Sequence, residues 1–377
     1  MIQELLSSFN PKEHLEFILI GAFVIAFIIS YTTFPTILYV TNKKHLFDEP
    51  DDRSVHSAKT PTLGGIGIFF SLVVVITIVG ALLNTKILLL LLGALTILFF
   101  LGLKDDLTIL SARKKFFGQL FAALLLIVFT DTRIIGFSKI LDVDILPYWI
   151  SVIFTLFVYI LIVNAYNLID GVDGLAGSVG LLASLVFVVL FIKAKEYSLA
   201  TVSVALAGAL IAFLRLNFSK KNKIFMGDTG SMIVGFLLAF FTISFIYKAQ
   251  TDVLTQYHKA APALALALLF YPLMDTFRVF FIRIFMLKTS PFKPDKNHIH
   301  HKFIDNKFSH KSTTVIIIGL NLIIILIAFN CLNMDLNNQI LALLAYGSFL
   351  YCIPFVVKKY SNKKGEITTN VDVEHNT

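Results

Sequence analysis

The sequence predicts an all-α, polytopic integral membrane protein of about eleven transmembrane helices, with its chemistry in loops on the cytoplasmic side. Three observations predict it. The 377 residues are 57% hydrophobic and only 15% charged, with a mean hydropathy of +0.82, whereas soluble domains are about half apolar and a quarter charged. Apolar runs of about 17 residues or more recur along the chain, each long enough to cross roughly 30 Å of hydrocarbon as a helix. The basic residues are sorted by side rather than spread evenly. This sorting of the net charge of +8 argues against nucleic acid as a partner.

The expected spans fall at about 16–40, 63–83, 87–103, 116–130, 146–164, 175–192, 197–214, 231–247, 260–286, 313–329 and 339–357. The first is read as a retained span, since no basic n-region or A-x-A cleavage pattern precedes it. The ninth carries Pro272, Asp275, Arg278 and Arg283 and is expected to bend or break. Cys331 and Cys352 are read at opposite ends of one helix, so no disulfide is expected. Residues 1–360 are read as a single multi-helix transmembrane domain, and 361–377 (SNKKGEITTNVDVEHNT) as a polar tail expected to be disordered. No internal repeat of the transporter kind is visible.

Segments 41–62, 104–115, 215–223, 287–311 and 358–377 hold 22 of the 32 Lys and Arg, which assigns them to the cytoplasm. The polar clusters fall on that same side. Ionisable groups near hydrocarbon are costly and mark function. Asp105-Asp106 closes the third helix, where the helix dipole disfavours acids, so Lys104, Lys115 or a cation must compensate. NAYNLIDGVDG (164–174) has two Asn and two Asp at three-residue spacing. A helix cap needs one such residue rather than four, and the calcium-loop pattern is incomplete. If the fifth helix continues, Asn164 and Asn167 share a face.

MGDTGS (Met226 to Ser231) opens the eighth helix. Asp228 or Thr229 could cap it, or its Gly-flanked turn could present backbone N–H groups to an anion. Phosphate beside Asp228 would need an intervening cation, because two unit charges about 4 Å apart repel by about 4 kcal/mol at an effective dielectric of about 20. Oxygen ligands select Mg²⁺, with Mn²⁺ a substitute. SPFKPDKNHIHHKF (Ser290 to Phe303) sets His298, His300 and His301 among lysines; phosphate or nucleotide contact, zinc and a solvated basic loop are its three readings. In the loop Asp48 to Gly65, Arg53 and His56 are candidate anion contacts. Asp275 and Arg278, at i and i+3, are read as neutralising each other inside the ninth helix.

In order, R-x-x-H…P-x-x-G-G, D-D, N-A-x-N-L-x-D-G-x-D-G-L-A, G-D-x-G-S, P-x-x-D-T and H-x-H-H span about residues 48–303. Together they resemble the polyprenyl-phosphate N-acetylhexosamine-1-phosphate transferase superfamily (glycosyltransferase family 4), in its bacterial undecaprenyl-phosphate GlcNAc-1-phosphate transferase branch. That branch begins O-antigen, enterobacterial common antigen or teichoic acid synthesis. Ile299 argues against the phospho-MurNAc-pentapeptide transferase branch, which typically has three successive His. The resemblance implies transfer of a sugar-1-phosphate from a UDP-N-acetylhexosamine to undecaprenyl phosphate in the bacterial cytoplasmic membrane. It implies Mg²⁺ on Asn167 and Asp228, with catalytic Asp105 and Asp106 near the lipid phosphate. Substrate contacts would come from Asn164, Asp170, Asp173, His298, His300, His301, Arg53, His56 and Lys115. Many relatives carry a third polar residue after D-D where this chain has Ile109, so that position lends no support to lipid-phosphate binding. A homodimer and a multi-span transporter of anions or metals complete the expectations; the transporter is disfavoured because the polar clusters sit at helix ends rather than at mid-membrane.

Overall fold

The computed structural model describes residues 13–44, 60–83, 85–108, 110–140, 143–251, 257, 260–290 and 297–352. Arg53, His56, Ile109, residues 291–296 of the histidine segment and the 361–377 tail lie outside them. The helices are α1 (Leu15–Lys44), α2 (Gly64–Gly80), α3 (Thr85–Thr108), α4 (Ala112–Thr130), α5 (Tyr148–Leu168), α6 (Leu175–Lys193), α7 (Tyr197–Asn217), α8 (Gly227–Thr251), α9 (Ala261–Leu268), α10 (Phe270–Phe281), α11 (Ile299–Asp305), α12 (His310–Asn330) and α13 (336–352). A π-helical turn, Ile282–Met286, extends α10. The all-α expectation holds, and every expected span coincides with a helix or with the bent α9–α10 pair.

Among the described residues, seven helices are long and apolar enough to cross a bilayer, or eight if the bent pair counts as one. The chain is thus a multi-pass helical membrane protein; the expected count of about eleven is not confirmed among the described residues. α2 has only 17 residues, and the first turn of α4 carries Arg113, Lys114 and Lys115. Cys331 ends α12 and Cys352 lies near the far end of α13; both are free thiols.

α8 is the axis of the bundle, buried along the whole of its apolar stretch and packed against α2, α3, α5, α6 and α9. In lipid no hydrophobic force draws helices together, so close contact depends on small residues and van der Waals packing. A Cβ on Gly102 of α3 would lie 2.4 Å from Thr229 Cα, and one on Gly65 of α2 would lie 2.1 Å from Gly230 N. Only glycine lets α2 and α3 meet the first turn of α8 backbone to backbone. These two contacts bring three helix ends to one point.

At the opposite end of α8, Gln250 accepts from the Ile135 N–H (2.9 Å) and donates to the Gly136 carbonyl (2.7 Å). It thereby anchors an antiparallel hairpin of β1 (Gly136–Ile140) and β2 (Val143–Ile145). The sequence alone predicts only an inter-helix loop here. Too short to read against the flanking spans, the strands are set by Gln250, 114 residues away in sequence.

The ninth expected span breaks as predicted. α9 and the α10 segment meet at 78°. Pro272 has no N–H and its ring clashes with the carbonyl four residues back, that of Leu268, so the helix ladder stops there.

Candidate active site

The tips of α3, α4, α5 and α8 meet at one end of the bundle. Asp105 and Asp228 share a single cation, the ammonium of Lys115 from the first turn of α4. Lys115 Nζ lies 2.9 Å from Asp228 Oδ2 and also contacts Asp105 Oδ2. Asn167, on the last turn of α5, donates Nδ2–H to Asp228 Oδ1 (2.6 Å) and to Ser231 Oγ (2.7 Å). Asp105 further accepts the Leu110 N–H at 2.5 Å. Sequence reasoning put Asp105, Lys115, Asn167 and Asp228 forward, and the fold brings all four together. Ser231 it did not single out; the G-D-x-G-S motif contained the signal.

Asp106 points the other way. Its carboxylate accepts the backbone N–H groups of Asp228 (2.7 Å) and Thr229 (3.1 Å), together with the Thr229 hydroxyl (2.5 Å). It caps α8 from a neighbouring helix. This corrects two expectations about MGDTGS: neither Asp228 nor Thr229 is the capping side chain, and the helix N-terminus is not an open anion surface. Gly227 makes the turn that admits Asp106. Its φ is +70°, and a Cβ there would lie 2.9 Å from the Asp106 carboxylate oxygens and 2.0 Å from the Thr62 carbonyl.

Asn164, one helical turn before Asn167, donates to Gln119 Oε1 on α4 (3.0 Å) and to the Ile160 carbonyl (2.7 Å). Asp170 lies in the turn after α5. Burial foremost, then the like charges of Asp228, Asp106 and Asp173, hold its carboxyl well above the ordinary carboxylate range. Asp173 is bound on several sides. Lys223 Nζ is 2.6 Å from Oδ2 and His310 Nδ1 is 3.5 Å away, while the Thr314 hydroxyl donates to its carbonyl at 2.7 Å. Neither Lys223 nor His310 belongs to the motifs that carry the family resemblance.

Two of the three histidines, His298 and His300, take separate side-chain partners. Among the described residues no three imidazoles, carboxylates or thiols converge on one point. His298 Nδ1 lies 2.7 Å from Asp275 Oδ2, and Asp275 Oδ1 accepts the Ile299 N–H at 2.8 Å. His300 Nδ1 meets the Tyr271 hydroxyl at 3.1 Å. Arg278 donates to the Asn297 carbonyl at 2.6 Å. The expected Asp275–Arg278 neutralisation inside α10 is therefore corrected: both side chains serve the histidine segment instead. Helical spacing allowed the local pair, but the fold offered Asp275 stronger partners from a distant stretch.

Burial pushes the His300 imidazolium down to about 3, so the ring is neutral at physiological pH. Its Nε2 faces the NLIDGVDG turn, lying 3.5 Å from where a Cβ on Gly171 would stand. The histidine segment thus adjoins the turn carrying Asp170 and Asp173, which itself follows Asn167.

Residues 88–246, which include every site residue from Asp105 to Asp228, match the family model described as glycosyl transferase family 4. A Bacillus subtilis (strain 168) protein named probable undecaprenyl-phosphate N-acetylglucosaminyl 1-phosphate transferase is 31% identical over 300 residues, covering 78% of this chain and 80% of that protein. The chain belongs to glycosyl transferase family 4. Within the family it is also 30% identical over 294 residues, 71% of each chain, to a Mycobacterium tuberculosis (strain ATCC 25618 / H37Rv) decaprenyl-phosphate N-acetylglucosaminephosphotransferase. To an Escherichia coli (strain K12) undecaprenyl-phosphate alpha-N-acetylglucosaminyl 1-phosphate transferase it is 27% identical over 284 residues, 74% of each. The family model ends before the histidine segment, which the bend after α9 returns to the site.

Proposed function

We propose that this family member transfers N-acetylglucosamine-1-phosphate from UDP-N-acetylglucosamine to undecaprenyl phosphate, giving undecaprenyl-diphosphate-N-acetylglucosamine and UMP, at the cytoplasmic face of a bacterial cytoplasmic membrane. The product would initiate a cell-surface polysaccharide. The observation that carries the reading is the convergence of Asp105, Lys115, Asn167 and Asp228 at helix tips on one end of the bundle. A focus at an interface suits a lipid-borne acceptor meeting a soluble donor, whereas transporters hold their polar groups near mid-membrane. The names of the relatives support the polyprenyl-phosphate acceptor and the sugar-phosphate.

The donor set fits Mg²⁺, or Mn²⁺ in its place. Mg²⁺ takes one or two carboxylates and completes its shell with water and substrate phosphates, so it needs no all-protein cage. Asp228 and Asn167 would hold it, with Asp105 close by; the two carboxylates already share one cation, Lys115, and Asn167 is bonded to Asp228. When bound, the ion would supply charge neutralisation at the donor diphosphate and the departing UMP.

The acceptor is a phosphate monoester with a second pKa near 6, mostly dianionic at neutral pH, and needs little help from a base. Asp105 orients the acceptor and takes up a proton where one remains. An acceptor oxygen attacks the donor's β-phosphorus; the new P–O bond forms as the bond to the bridging oxygen breaks, and that oxygen leaves on UMP. Lys115 balances the charge gathered between the two phosphates. His298 and His301 contribute N–H donors to the donor's phosphate oxygens, and neutral His300 props the turn that bears Asp170 and Asp173. Catalysis then rests on positioning and electrostatics.

Purified protein in detergent, given undecaprenyl phosphate, Mg²⁺ and a panel of UDP-sugars, is expected to release UMP and form lipid product best with UDP-N-acetylglucosamine. No sugar-dependent UMP release would refute the reading. Stoichiometric UMP from donor without lipid would replace direct displacement by a covalent intermediate.

A further inference from the structure

We propose that Asn321, buried within α12 and outside every motif of the chain, is a positioning residue that sets the histidine segment by bracing the break between α9 and α10. The inference rests on the proposed contact of that segment with the donor phosphates.

Asn321 is fully buried among apolar neighbours on a membrane-spanning helix. A carboxamide there is costly unless both its ends are bonded. Its partners are groups on the two sides of the break: Nδ2 donates to the Leu268 carbonyl at 3.3 Å, and Oδ1 accepts the Tyr271 N–H at 3.2 Å. The Leu268 carbonyl is the one that Pro272 deprives of its helical donor. One side chain thus replaces helix bonding across the 78° bend and holds α10 at that angle.

α10 carries the anchors of the histidine segment. The same Tyr271 whose N–H Asn321 accepts offers its hydroxyl to His300, 3.1 Å away. Asp275, one turn further along, holds His298 at 2.7 Å and the Ile299 N–H at 2.8 Å. A change of angle at the bend would shift both anchors together, and with them the contact of His300 with the Gly171 turn. Shifts of about 1 Å at a reacting centre can cost about a hundredfold in rate. Indirect bracing should cost less, and selectively on the donor side.

The test is steady-state kinetics of the full-length protein with UDP-N-acetylglucosamine and undecaprenyl phosphate. Asn321→Leu is expected to raise the donor KM about tenfold and leave the acceptor KM within twofold. Its effect should be less than multiplicative with that of Asp275→Asn, because both act through α10. An unchanged donor KM, equal changes in both KM values, or a fully multiplicative double variant would overturn the proposal. Tyr271→Phe keeps the brace and removes only the hydroxyl, so it decides the matter if Asn321→Leu does not accumulate: the donor KM should rise a few-fold, and no rise overturns the relay. If Asp275→Asn and His298→Ala also leave the donor KM unchanged, the donor-contact reading itself has failed. If they raise it while Asn321→Leu and Tyr271→Phe do not, only the relay is wrong.

Discussion

The acidic focus and the histidine segment lie side by side but are held by different means. Around Asp105 and Asp228, backbones do the work: α2 and α3 touch the first turn of α8 through Gly65 and Gly102, Asp106 caps that turn, and one lysine serves two carboxylates. The histidine segment is hung from side chains of α10, on Asp275 and Tyr271. Rigid packing suits groups that must stay close despite like charge. A side-chain suspension suits groups proposed to fit around a donor.

Variants can break that contrast, and the largest effect is expected at Asp228. Asp228→Asn removes the charge shared with Lys115 and the carboxylate proposed to hold the metal. Turnover should fall by about a thousandfold or more, the scale of losing a main electrostatic contribution to catalysis, while thermal unfolding in detergent shows a folded protein. Retained turnover would take Asp228 out of the metal site.

Asp275→Asn should act on binding instead. The donor KM is expected to rise about tenfold, equivalent to about 1.4 kcal/mol, with acceptor KM unchanged. A loss shared equally between donor and acceptor would erase the distinction between the two regions.

Asp106→Ala should register in stability before chemistry. It leaves two backbone N–H groups and a hydroxyl without their carboxyl acceptor, a loss of about 1–3 kcal/mol, read as a lowered Tm. An unchanged Tm would mean that water replaces the cap and that the backbone contacts alone hold α8.

The smallest effect is the pH dependence of His300. Its folded-state pKa is lowered to about 3 from 6.5, so between those values the unfolded chain binds more protons. Stability contributed by the neutral ring is present above about 6.5 and lost as pH falls towards 3. His300→Gln should therefore cost less stability at pH 5 than at pH 7.5, measured as Tm at both; an equal or larger cost at pH 5 would count against a buried neutral ring.

Much of this was legible in the sequence because membrane solvation writes plainly. Apolar runs gave the helices, Pro272 the break, and clustered Asp105, Asn167 and Asp228 the site. Asp106 was legible only as one of a pair, since two adjacent carboxylates at a helix end look alike until the helix turns one to Lys115's side and the other under α8. The partnership of Asp275 with His298 was hidden behind a plausible i, i+3 ion pair. Asn321 gave no local signal: a single Asn in an apolar span has many explanations, and its meaning depends on two backbone groups some fifty residues away.

By itself the sequence determined what each segment is, a membrane helix or a polar tip, and which residue types gather near one face, because burial in lipid depends on local composition. Only the tertiary structure decided which carboxylate faces the shared lysine, which one caps a helix, and what holds the histidines. Those choices depend on interhelical distances of a few ångströms, set by glycine contacts and by the bend, and no stretch of chain encodes them alone.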